Sequence, residues 1–127
     1  MSIKQRINAL LRAIDAEDAE ESLKNRKKSI VQNLLESAVK YIDIVIKQGI
    51  TIQINEGNSD RETIEELVGI DQSRSRIHDS LIGQIAVVNR MCSQYGLDPI
   101  YQGKDTRIDK GDFALELIIA YFQDRIT

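Results

Sequence analysis

The last helical stretch of this chain, roughly Asp109 to Ile126, is apolar almost all the way round, and no other feature constrains the fold as strongly. At about 100° per residue, Phe113, Ala114, Leu117, Ile118 and Tyr121 together with Leu115, Ile119, Ala120, Phe122 and Ile126 cover nearly the whole circumference. Asp112, Glu116 and Gln123 are left as one narrow polar stripe. Such a helix cannot lie on the surface of a small monomer. It forms the centre of its own bundle, or a second chain or partner covers it. Leu115, Ile118, Ile119 and Phe122 cannot all face one small core, so a twofold-symmetric homodimer is expected, with this helix or the long second helix at the interface.

A chain of 127 residues fits one domain, 1–127, with a core of its own and no need of a staple. The net charge of −3 argues against a general nucleic-acid binder, which needs a concentrated cationic face. The local cluster Lys24, Arg26, Lys27, Lys28 follows the acidic run Asp15, Glu17, Asp18, Glu20, Glu21, and Glu20 with Lys24 has the i,i+4 order of a solvated helix face. Cys92 is the single cysteine, which excludes a disulfide within the chain. With no signal peptide and no apolar run of about 18 residues, a cytoplasmic protein without membrane contact is expected.

Ser2 and Gln5 form a capping box ahead of Ile3, Ile7, Leu10, Leu11 and Ile14, which recur at helical spacing, so the first helix is expected over about Ser2 to Asp15. The absence of large apolar residues between Ile14 and Leu23 breaks the chain near Asp15 to Asp18. A second helix, about Ala19 to Gln48, carries an apolar stripe wide enough to touch two neighbours, and Gly49 is expected to end it as a left-handed cap. The alternation Ile50-Thr51-Ile52-Gln53-Ile54 before the turn signal Asn55-Glu56-Gly57-Asn58 predicts an irregular or weakly β segment near 50–58. Ser59 and Glu62 open a short helix that Gly69 closes. Asp71 caps the next helix, which runs to about Tyr95 and stops at Gly96 and Pro99. Residues 96–110 read as a long loop. The expected fold class is therefore all-α, a bundle of four main helices plus one short helix.

Polar residues on apolar faces mark the candidate sites. His78 and Asn89 project into the face marked by Ile77, Leu81, Ile82, Ile85, Val88 and Cys92, where each needs hydrogen-bond partners. Eleven residues place them about 16 Å apart, so backbone or a neighbouring helix is the more economical partner for each. As the only histidine, and beside Asp79, His78 is also a candidate for ligand binding or proton transfer. Arg76 lies one turn before Asp79 and can pair with it, Arg90 sits near the helix end, and Arg107 in the long loop can reach a ligand or Asp112.

The dipeptide His78-Asp79 resembles the pair of metal-dependent phosphohydrolases, which need further histidines that this chain lacks. One Cys and one His cannot supply a structural zinc site. Asp109, Asp112 and Glu116 have the i, i+3, i+7 spacing by which carboxylates hold a hard cation, but in the first turns of a helix capping and the helix dipole already account for them. A calcium loop from Asp105 fails, with Arg107 at a ligand position and Lys110 where glycine is needed. Glu62 and Glu65 give only half of the paired-glutamate motif of all-helical nucleotide pyrophosphohydrolases, and phosphate-loop signatures are absent. No metal and no cofactor are expected.

The run Arg76-Ile77-His78-Asp79-Ser80-Leu81-Ile82, then Asn89-Arg90, then Gly96-Leu97-Asp98-Pro99-Ile100-Tyr101 resembles a small bacterial all-helical family of unknown function over about the C-terminal half. The resemblance implies a helical fold and a prokaryotic origin. The leading expectation is a non-enzymatic, self-associating protein that binds another protein or regulates, with Leu115, Ile118, Ile119 and Phe122 at its interface. The competing one is a small helical enzyme or ligand-binding protein whose pocket, roofed by the 96–110 loop, is lined by His78, Asp79, Asn89, Arg107 and Glu116.

Overall fold

The computed structural model describes residues 2–54, 61–103 and 107–124, and the side chains of 2–47, 72–103 and 109–123. Among these the chain forms four helices, α1 (Ile3–Asp15), α2 (Glu21–Ile54), α3 (Arg61–Gln94) and α4 (Arg107–Asp124), and no strand. The fold class is all-α.

Local chemistry sets several boundaries. The Ser2 hydroxyl accepts from the Gln5 backbone N–H at 3.2 Å while the Gln5 side chain accepts from the Ser2 N–H at 2.9 Å, the reciprocal cap expected at the start of α1. At the far end of α3, Gly96 adopts φ +69°, the left-handed region that a side chain disfavours. This lets the Leu97 N–H reach the Cys92 carbonyl at 2.8 Å and the Gly96 N–H reach Ser93 at 3.1 Å, the paired bonds that close a helix.

Three expectations fail between residues 49 and 71. α2 continues through Gly49 and through Ile50–Ile54, where a left-handed cap and a weakly β segment were predicted. α3 starts at Arg61 and runs through Gly69 and Asp71, so the separate short helix does not exist. The energies are small: a β-branched residue costs a helix at most about 0.7 kcal/mol and a glycine about 1 kcal/mol, whereas an unpaired strand has nothing to replace the helical hydrogen bonds. The turn signal at 55–58 and the Ser59 cap lie outside the described residues.

α2 and α3 form a long antiparallel pair, with Lys27 against Tyr95, Ser37 against Gln84 and Tyr41 against His78. α1 and α4 pack on α2 and on each other. The shared core takes Ile7, Leu10 and Ile14 from α1, Leu34 and Ala38 from α2, Leu81, Ile85 and Val88 from α3, and Phe113 and Leu117 from α4. Among the described residues no helix is long and apolar enough to cross a membrane.

The charge runs flanking the first turn latch α1 to α2. The Lys27 ammonium reaches both carboxylate oxygens of Glu17, at 2.7 and 2.8 Å, and the Tyr95 hydroxyl at 3.1 Å, while Tyr95 also donates to Glu17. Lys28 pairs with Asp15 at 2.9 Å, and Lys24 donates to the Asp15 carbonyl rather than serving the Glu20 pairing read from the sequence. The hydrogen bonds from Lys27 and Tyr95 hold the Glu17 carboxyl below its ordinary value of 4.5, and those with Glu17 and Tyr95 raise Lys27 above 10.5. Glu17, with its folded pKa depressed, adds stability above its unfolded pKa that is lost as pH falls through the folded one. Lys27, with its pKa raised, adds stability below its unfolded pKa that is lost as pH rises through the folded one. The difference in melting temperature between wild type and Lys27→Met is therefore flat across neutral pH and closes in acid. Calorimetry over a pH series checks this; a gap that persists below the Glu17 titration contradicts the latch.

Candidate functional site

Of the five residues singled out as pocket candidates, the side chains of His78, Asp79, Asn89 and Glu116 are described, and they face different surroundings. His78 is buried on α3, its ring 5.4 Å from that of Tyr41 on α2 and tilted by 43°. Asp79, the next residue, is exposed, because successive side chains of a helix point about 100° apart. The pair therefore cannot act on one ligand. Arg76, expected to pair with Asp79, is itself exposed, as is Arg90. The side chains of Arg107, Glu62 and Glu65 lie outside the described residues.

Asn89 holds the loop. Its carbonyl oxygen accepts from the Ile100 N–H at 2.9 Å and the Tyr101 N–H at 3.4 Å, and its amide donates to the Tyr101 carbonyl at 3.2 Å. These bonds seat Ile100 in the core. The Arg6 guanidinium on α1 donates to the Pro99 carbonyl at 3.1 Å. The Tyr101 ring lies 5.0 Å from that of Phe113, with the Lys110 ammonium 3.8 Å from its own centroid. A Cβ on Gly103 would stand 2.8 Å from the Tyr101 hydroxyl, so glycine is what lets the chain pass the ring. The long loop, over residues 95–103, is thus fastened to α1, α3 and α4.

The fastened loop roofs an open cleft of about 410 Å³ above the start of α1 and the first turns of α4. Arg6, Tyr101 and the stripe Asp109, Asp112 and Glu116 line it. Of the five pocket candidates only Glu116 is among its described walls. No group of three His, Cys, Asp or Glu side chains among the described residues is placed to hold a metal ion. Asp109 stands in the first turn of α4, where the helix dipole favours a carboxylate. Cys92 is buried in the core, and burial pushes its thiol pKa up, which keeps it protonated and poorly nucleophilic.

α4 turns opposite faces to core and solvent. Phe113, Ala114 and Leu117 are buried, while Leu115, Ile119 and Phe122 are 47%, 45% and 68% exposed. Ile118, named with them as an interface residue, packs against the edge of the core.

Two features were missed in the sequence although signals for them exist. The acidic run 15–21 and the basic run 24–28 meet across the break after Asp15, and Lys27 pairs with Glu17 and Lys28 with Asp15 there. Lys110, read as loop, stands three and seven residues before Phe113 and Leu117 and so shares their buried face.

A family model described as a protein of unknown function, DUF3232, matches residues 14–127. The chain belongs to the DUF3232 family. The match extends beyond the C-terminal half in which a resemblance was read and spans α2, α3, the fastened loop and α4. No curated protein and no solved structure matches this DUF3232 chain.

Proposed function

We propose that this protein is a non-enzymatic helical module of the bacterial cytoplasm that self-associates as a homodimer and engages a protein partner through the outer face of α4. The observation that carries the reading is the exposure of Leu115, Ile119 and Phe122 on one face, directly opposite the buried Phe113 and Leu117. A contiguous exposed apolar face of this kind marks an interaction surface. Its residues are aliphatic and aromatic, the types that anchor interfaces when desolvated. A cytoplasmic setting is supported by the single, buried Cys92.

Glutamate at Phe122 or at Ile119 disturbs little in the monomer, because both side chains point to solvent. Each variant is expected to keep the far-UV circular dichroism of the wild type and to elute as a monomer at a concentration where the wild type elutes as a dimer. Elution of both variants with the wild type contradicts an α4 interface. The competing reading, a small ligand held beneath the loop, is favoured by the cleft beside Glu116. A monomeric wild type would place it first.

A further inference from the structure

The cleft beneath the fastened loop carries opposite charges that do not pair with each other. Arg6 lines it from α1, with its guanidinium donating to the Pro99 carbonyl at 3.1 Å. The Arg6 Nε is buried without a hydrogen-bond partner, and the guanidinium forms no ion pair among the described residues. Asp112 and Glu116, about one turn apart, line the same cleft from α4. Both are exposed and likewise without an ion pair among the described residues. Arginine takes a carboxylate in a two-pronged hydrogen bond wherever the two come within reach. Here the cleft keeps them apart.

The surface between these charges is apolar, formed by Ile3, Ile100 and Phe113 with Tyr101 beside them. At about 410 Å³ the cleft falls within the range of roughly 300–1,000 Å³ common to small-molecule sites. Its walls are already fixed. The Ser2 and Gln5 cap orders the start of α1, and the bonds from Asn89 and Arg6 hold the loop, so a ligand has few further groups to order.

The charge pattern narrows the ligand. Asp109, the third carboxylate of the cleft, already makes an interaction of its own, which leaves one cation and two carboxylates to be matched. Their complement is one carboxylate and two cations joined by an aliphatic stem. We propose that the cleft binds a free basic α-amino acid such as L-lysine, with its carboxylate on Arg6, its two ammonium groups on Asp112 and Glu116, and its methylene chain over Ile3 and Phe113. Leu115, Ile119 and Phe122 are not among the walls, so the site does not rest on self-association.

Isothermal titration of the unmodified protein at neutral pH tests the assignment with three probes. L-Lysine is expected to saturate one site per chain. L-Norleucine, which lacks the terminal ammonium, and cadaverine, which lacks the carboxylate, are each expected to bind about tenfold or more weakly, the loss of a hydrogen bond between charged groups. Asp112→Asn and Glu116→Gln change exposed side chains and are expected to keep the far-UV circular dichroism of the wild type while weakening lysine by a similar factor. In Arg6→Gln the preference for lysine over cadaverine disappears, a ratio that a general loss of stability does not produce. No saturation by lysine up to roughly 10 mM, or equal affinity for all three probes, overturns the proposal. Lysine binding unchanged in both Asp112→Asn and Glu116→Gln lies outside this cleft and overturns it equally. None of these outcomes depends on whether the chain is a monomer or a dimer.

Discussion

Leu34→Ala, Ile85→Ala and Leu117→Ala are each expected to destabilise the protein by about 2–5 kcal/mol, the cost of lost transfer energy plus the cavity left behind. The three side chains are 0%, 2% and 0% exposed and come from α2, α3 and α4, so no neighbour can relax into the gap without moving a helix. Urea midpoints measure the effect, at one fixed protein concentration because the stability of a self-associating chain depends on it. A shift under roughly 0.5 kcal/mol at any of the three is surface behaviour and contradicts the packing described here.

Asn89→Ala is expected to cost about 1–3 kcal/mol, the penalty of leaving the hydrogen-bonding groups of a fastened loop without partners. The substitution strips the Ile100 N–H of its 2.9 Å acceptor at a residue seated in the core, and removes the bond to the Tyr101 carbonyl as well. Amide exchange separates this from general destabilisation. The Ile100 amide should lose protection well before that of Leu34, because the loop opens without the bundle unfolding. Equal losses at both positions, or none at Ile100, would show that Asn89 does not hold the loop.

Where short-range chemistry decides, the fold was legible in the sequence. The Ser2 and Gln5 cap, the break after Asp15 and the Gly96 stop each depend on a few neighbouring groups, and each is found in the structure. Gly49–Ile54 and the stretch from Arg61 to Asp71 were misread because their local signals are worth about 1 kcal/mol or less, while continuing α2 to Ile54 and α3 from Arg61 keeps helical hydrogen bonds that a lone strand or a helix break gives up. The pocket candidates were chosen by side-chain chemistry, and chemistry does not say which way a helix faces. His78 turned inward, Asp79 outward, and Asn89 toward the loop. The apolar circumference of α4 was legible because it requires no knowledge of neighbours: one core can cover only one side of it.

That uncovered side makes self-association the central claim, and sedimentation equilibrium of the unmodified protein over a micromolar concentration series tests it most directly. The weight-average mass is predicted to rise with concentration from the chain mass of 14.4 kDa toward twice that value. A mass that stays at 14.4 kDa throughout the series would contradict it.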